Sequence, residues 1–347
     1  MSVAATHTLG FDVSDRYSHY CLIDSDGGIL EEGRLKTDEA ALTKRFEGSP
    51  CRVVMEVGVH SPWMSRLFAS MGNEVIVANP RRVQLIAQST RKNDRADAET
   101  LARLGRADPK LLGPISHRDA GAQADLASIR GRNALVEART LLINHVRGSV
   151  KSAGGRLPAC DAHTFYKKAK VHIPPLLAPS LGPLVDAIEG LTGRIKEMDR
   201  LVLELIETRY PEARCLQQVA GVGPLISLCF ILTIGDPNRF KTSRQLGPYL
   251  GLVPKQRESG ESSPALRISK AGNGFLRQLL VNGAQYILGY RGPDCDLRRW
   301  GLKRAGSGKA AKKRAVVGVA RRLAILLHRL WVTGEVYEPL RHLDVAA

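Results

Sequence analysis

The sequence predicts an α/β domain at the N-terminus, a central region of long helices and a mostly helical C-terminal domain. Three observations carry this. Short apolar, β-branched runs alternate with helical patterns over roughly the first 105 residues. Apolar residues then recur at helical spacing over about thirty positions, twice in succession. Beyond residue 211 the apolar runs stay helical and become rich in arginine. A chain of 347 residues is long for one core and suits two domains with a connector, and 44% hydrophobic residues excludes wholesale disorder. The expected boundaries are 1–115, 116–210 and 211–347.

Taken in order, "HTLGFDVS" alternates apolar residues and reads as a strand, and "SHYCLIDS" as a second. "DGG" at 26–28 signals a hairpin turn into a third strand, "ILEEGRLKT". "DEAALTKRFEG" is a short helix, and "RVVMEVG" at 52–58 is a buried strand. In "SPWMSRLFASMG", Ser61 is the expected N-cap, Pro62 the first helical position and Gly72 the stop. "EVIVAN" is another short strand, and "PRRVQLIAQS" and "RADAETLARLGRA" are helical. Three antiparallel strands followed by αβ crossovers is the order of the RNase H-like fold, in which the first strand and the next buried strand are neighbours at the sheet centre.

"ADLASIRGRNALVEARTLLINHVRGSVKSAG" and residues 181–210 read as long helices, either an antiparallel pair or a dimerising coiled coil. The Pro- and Gly-bearing segment 154–180 between them reads as a linker or insertion. In "CLQQVAGVGPLISLCFILTIGD" a Gly-Val-Gly separates two apolar helical runs, the helix–hairpin–helix pattern whose turn amides can approach a phosphate. Any tight turn between helices can also use it. The last helix, "KRAVVGVARRLAILLHRLWVTG", sets Arg321, Arg322 and Arg329 beside an apolar stripe.

The net charge is +17 and unevenly placed. Residues 1–110 carry 15 basic and 15 acidic residues, whereas 241–347 carry 20 basic and 7 acidic. The excess therefore belongs to the C-terminal third, and a polyanion, with nucleic acid first, is the expected partner. The six cysteines, at 21, 51, 160, 215, 229 and 295, form no CxxC pair and read as reduced thiols in a cytosol. No apolar stretch is long enough for a membrane span and the N-terminus has no secretory pattern, so a cytoplasmic protein without membrane association is expected.

Four carboxylates stand out. Asp12 in "GFDVSD" and Glu56 in "RVVMEVG" interrupt apolar strands, where an unpaired buried charge is costly. Asp94 and Asp97, in "RKNDRADAE", are three apart on one helix face among Arg91, Lys92 and Arg95. Alone, that stretch is an ordinary solvated helix start. Together with Asp12 and Glu56 it reads as the closing half of a carboxylate site for one or two Mg²⁺, and the three cations become candidate phosphate contacts.

"GFDVSD", "VVMEVG", "VANPRRV" and "RKNDRADAETLA" resemble the DEDD, RuvC-like domain of bacterial insertion-sequence transposases of family 110. The resemblance maps that family's four acids onto Asp12, Glu56, Asp94 and Asp97. One departure is Asn93, where a threonine is common.

"LGLVPKQRESGESSPALRISKAGNGFLRQLL", residues 250–280, is by chemistry alone a Gly/Ser loop leading into a helix, with Ser259, Ser262, Ser263 and Ser269. Its basic flanks, Lys255, Arg257, Arg267, Lys270 and Arg277, suit a phosphate-rich partner. The family resemblance singles out Ser259, five residues after Pro254, as the nucleophile, ahead of Ser262 and Ser269. Glu261 departs from the glycine or alanine often found there.

The resemblance implies a bacterial, nucleoid-associated transposase that joins DNA to Ser259 with Mg²⁺ bound at the four acids. It also implies donor and target DNA, a structured noncoding guide RNA, and a dimer or tetramer. Two other readings compete: a Holliday-junction-type nuclease that uses water, and a non-catalytic nucleic-acid-binding protein.

Overall fold

A computed structural model describes residues 7–86, 93–257 and 266–341, and for residues 84–86 the backbone only. The chain divides into two compact units, residues 1–120 and 121–347.

The first unit holds β1 (Thr8–Asp12), β2 (Tyr17–Ile23), β3 (Ile29–Lys36), α1 (Glu39–Phe46), β4 (Arg52–Glu56), α2 (Ser61–Ser70), β5 (Glu74–Ala78), α3 (Pro80–Ile86) and α4 (Asp94–Ala107). The strands form one sheet in the order β3-β2-β1-β4-β5. The β1–β2 and β2–β3 pairs are antiparallel, and the β1–β4 and β4–β5 pairs are parallel. The central pair is therefore β1 and β4, as the RNase H-like order requires.

Each face of the sheet carries its own core. Leu9, Phe11, Tyr20, Val53 and Met55 meet Phe46 of α1 and Met64 and Phe68 of α2. The rings of Phe11, Tyr20, Phe46 and Phe68 pack at centroid distances of 5.3 to 6.0 Å, a spacing aromatic pairs favour. On the other face Cys21 and Ile23 pack on Ala98 and Ala102 of α4, and Val54 and Ile76 pack on Leu101. Each large apolar side chain buried here contributes about 1.5–3 kcal/mol.

One local expectation changes. Helix α2 starts at Ser61 itself, with His60 at the cap position. The Ser61 hydroxyl turns back to the preceding loop, 3.0 Å from the Gly58 amide nitrogen. Side-chain capping by serine competes with local loop bonds of this kind, and here the loop wins.

The second unit is helical: α5 (Ala120–Ser152, beginning at the boundary residue), α6 (Phe165–His172), α7 (Ala178–Thr208), α8 (Ala213–Leu216), α9 (Pro224–Ile234), α10 (Leu246–Tyr249), α11 (Gly274–Leu288), α12 (Asp296–Ala305) and α13 (Lys309–Thr333). Helices α5 and α7 run antiparallel within one chain. Arg209 bonds Asp125 at 2.8 Å, Arg132 bonds Asp199 at 2.6 Å, and Arg139 reaches Thr192 at 3.4 Å. The partner number falls as the first rises, which fixes the direction.

Segment 154–180 is not a bare linker. Leu157, and Phe165 and Ala169 of α6, are buried against Ile143, Val146, Val185 and Ile188, closing the end of the helix pair. The prolines and glycine that suggested a linker serve as the corners around α6. The remaining helices bury one apolar core that includes Phe230, Leu280 and Leu323. Among the described residues no single helix is long and apolar enough to cross a membrane.

Candidate metal centre

Strand register and strand alternation together build the site. Thr8 pairs with Arg52 and Phe11 with Met55 in the parallel β1–β4 ladder. Asp12 and Glu56, the next residues and the last of their strands, therefore end side by side at the sheet centre. Successive side chains alternate faces. Phe11 and Met55 belong to the α1–α2 side, so Asp12 and Glu56 fall on the α4 side. In the antiparallel β1–β2 pair Asp12 lies opposite His19. Tyr20 faces α1, so His19, like its neighbour Cys21, faces α4.

Helix α4 delivers the remaining acids. Asn93 is its N-cap, and its side chain accepts from the Arg95 amide at 3.1 Å. Asp94 and Asp97 fill the first turn, where the helix dipole favours negative charge. The helix lies on the sheet at backbone contact. A Cβ at Gly10 would sit 2.1 Å from the carbonyl oxygen of Ala98, and one at Gly105 would sit 2.3 Å from Val54 Cγ2. Glycine and alanine at these positions bring the start of α4 over the end of β1, two residues beyond Gly10.

Asp12, His19 and Asp94 converge, with one ligand atom from each lying within 4.8 Å of the others. His19 Nδ1 is 3.6 Å from Asp94 Oδ2. That nitrogen is buried and has no hydrogen-bond partner among the described residues. Two carboxylates and a nitrogen with its polarity unmet are a donor set that fits a divalent cation. Glu56 and Asp97 lie on the same face and the same helix turn but outside this 4.8 Å group.

Sequence reasoning missed His19. Its only signal was positional: it falls opposite Asp12 across the first hairpin.

The other predicted residues are placed as follows. Arg95 pairs with Glu32 of β3. Arg91, Lys92 and Ser259 lie outside the described residues, as do Ser262 and Ser263. The two arms that flank Ser259 in sequence pair with each other: the Lys255 amide donates to Arg267 O at 2.9 Å, and the Ser269 amide to Val253 O at 2.8 Å. Ser269 Oγ accepts from the Ala271 amide at 3.4 Å, the geometry of a turn serine. Arg257 is exposed, and Lys270 adopts a left-handed backbone with φ 55°. Arg277 braces the crossing by donating to the carbonyls of Leu250 (2.9 Å) and Ala271 (2.8 Å). Burial lowers the pKa of this guanidinium.

A second feature lies in the helical unit. A cavity of about 1430 Å³ is lined by Arg244, Arg267, Arg314, Arg321 and Arg322 around Trp300. Arg322 stacks on the Trp300 ring at 4.1 Å and Arg304 at 5.0 Å. Burial lowers the Arg322 pKa first, and the like charges of Arg304 and Arg321 lower it further. Cations are thus gathered here against mutual repulsion, with an aromatic face among them, while Asp296, Glu335 and Glu338 also line the cavity.

Comparison with known proteins gives the class. Residues 9–153 match a transposase model of the DEDD, IS110 type. Residues 213–295 match the model for the transposase IS116/IS110/IS902 family. Over 349 residues the chain is 30% identical to the transposase for insertion sequence element IS1111A of Coxiella burnetii, covering 95% of this chain and 90% of that one. It is 30% identical over 243 residues to the transposase for insertion sequence element IS1328 of Yersinia enterocolitica, 69% of this chain and 71% of that one. It is also 24% identical over 280 residues to the pilin gene-inverting protein of Moraxella lacunata, 78% of this chain and 76% of that one. The chain belongs to the IS110/IS116 family of insertion-sequence transposases, enzymes that cut and rejoin DNA. A DEDD-type domain implies a divalent metal, and the Asp12–His19–Asp94 group is placed to hold one.

Proposed function

We propose that this transposase exchanges DNA strands through a covalent phosphoserine intermediate at Ser259, on donor and target DNA selected by a structured noncoding RNA. The convergence of Asp12 and Asp94 at the ends of the sheet, with Glu56 in register beside Asp12, is the observation that supports it most. Asp12, Glu56, Asp94 and Asp97 would hold one or two Mg²⁺. A cation bound there polarises the scissile phosphate and stabilises the leaving oxygen.

Ser259 Oγ attacks phosphorus, the bond from phosphorus to the 3′ oxygen breaks, and the serine proton ends on that oxygen. The new ester keeps the energy of the phosphodiester. A 3′-hydroxyl from another strand then attacks the phosphoserine, rejoins DNA and returns the proton to Ser259. Exchange of two strands requires more than one such centre, so the working form is a dimer or tetramer.

In this reading residues 1–115 are a RuvC-like catalytic domain, 116–210 a helical coiled-coil region, and 211–347 a C-terminal domain with a helix–hairpin–helix at α8 and α9. The arginine-lined cavity holds nucleic-acid backbone, with Lys255, Arg257, Arg267 and Lys270 flanking the serine in sequence. The protein acts in the bacterial cytoplasm, on the nucleoid.

The test is recombination of a donor–target plasmid pair with RNA from the flanking noncoding DNA, followed by denaturing electrophoresis. A protein–DNA adduct is expected, and Ser259→Ala removes both adduct and recombination. Cleavage that persists in Ser259→Ala without an adduct overturns the serine mechanism in favour of a water-using nuclease. Asp94→Ala should lower recombination by about a hundredfold or more, and unchanged recombination would refute the metal site.

A further inference from the structure

We propose that His19 Nδ1 is a direct ligand of the divalent cation held by Asp12 and Asp94, making this a mixed nitrogen–oxygen centre. The inference rests on the metal-site reading above and adds to it a residue outside the four acids.

Four observations converge on His19. Strand pairing sets it directly opposite Asp12. Alternation turns it toward α4, the helix that carries Asp94. Its Nδ1 lies 3.6 Å from Asp94 Oδ2, and it shares the 4.8 Å group with both carboxylates. Two ligand atoms about 2.1 Å from one small cation stand at most about 4.2 Å apart, so the His19–Asp94 spacing suits a shared ion. The same spacing is long for a hydrogen bond.

The fourth observation is chemical. Nδ1 is buried and has no hydrogen-bond partner among the described residues. Buried polar atoms are nearly always partnered, and a neutral imidazole nitrogen is a good metal ligand. Three donors from β1, β2 and α4 also tie the first hairpin to the helix start.

The test uses full-length protein loaded with Mn²⁺ and pulsed electron paramagnetic resonance, which detects a nitrogen bound to the ion. Wild type should show a ¹⁴N coupling that becomes a ¹⁵N coupling when histidine alone is labelled with ¹⁵N. His19→Asn should keep Mn²⁺ but lose the coupling. The labelling experiment needs no variant, so a folding defect cannot decide it. Bound Mn²⁺ without a histidine coupling in wild type overturns the role of His19 and leaves the carboxylate site standing. Mn²⁺ binding that survives Asp12→Asn together with Asp94→Asn overturns the site itself.

Discussion

Gly10 decides how close helix α4 comes to the first strand. A Cβ there would lie 2.1 Å from the Ala98 carbonyl oxygen and 2.5 Å from the Ala102 amide nitrogen, both backbone atoms that cannot move alone. Gly10→Ala should therefore lift the start of α4 from the sheet and cost about 1–3 kcal/mol in denaturant unfolding. It should also weaken Mn²⁺ binding, because Asp94 stands one turn before Ala98 on the same helix. Full metal affinity in a destabilised Gly10→Ala would disprove the link between this contact and the site. At this scale the sequence was readable where a charge broke an apolar run, as Asp12 and Glu56 do. It was less readable where partnership depends on register. His19 and Asp12 meet only because a four-residue connection sets them opposite, and no residue near His19 looks unusual in sequence. Arg277 shows a second such case: an arginine in a basic loop reads as a phosphate contact, and its Nη1 also donates to two backbone carbonyls that no sequence pattern reveals.

Secondary-structure elements were the most legible part of the chain, because period two and period 3.6 leave distinct apolar patterns. All five strands and the long helices follow those patterns. What periodicity does not give is the partner of a long amphipathic helix, which buries its stripe equally well within the chain or against a second copy. The polar pairs settle the first choice for α5 and α7. Asp125 is buried and accepts from Arg209 at 2.8 Å and from the Tyr210 hydroxyl at 2.7 Å. Asp125→Ala removes both bonds where α5 begins and α7 ends. The expected loss is about 1–3 kcal/mol in unfolding free energy, with recombination retained under conditions where the variant is folded. A loss below about 0.5 kcal/mol would show that these bonds do not hold the pair. Segment 154–180 escaped prediction because its helix, α6, has only 8 residues and lies among prolines. Helices that short gain stability from packing rather than propensity.

At the scale of the whole molecule, charge divides the labour. The first 110 residues balance 15 cations against 15 anions, while the last 107 carry 20 against 7. The metal centre lies in the neutral region and the arginine-lined cavity in the basic one. Non-specific affinity for DNA or RNA should therefore come from the second unit, and it should do so through released counterions. Lys313 and Arg314 line the cavity and are exposed, so replacing them leaves the helix packing intact. In the full chain, Lys313→Ala with Arg314→Ala should weaken binding to a mixed-sequence duplex by on the order of tenfold at physiological salt. The slope of log affinity against log salt should become shallower by about two, since each lost phosphate contact removes roughly 0.9. Mn²⁺ binding at Asp12 and Asp94 should not change. An unaltered salt slope in the double variant would mean that the backbone of the nucleic acid runs elsewhere, and that this cavity's cations are gathered for some other anion.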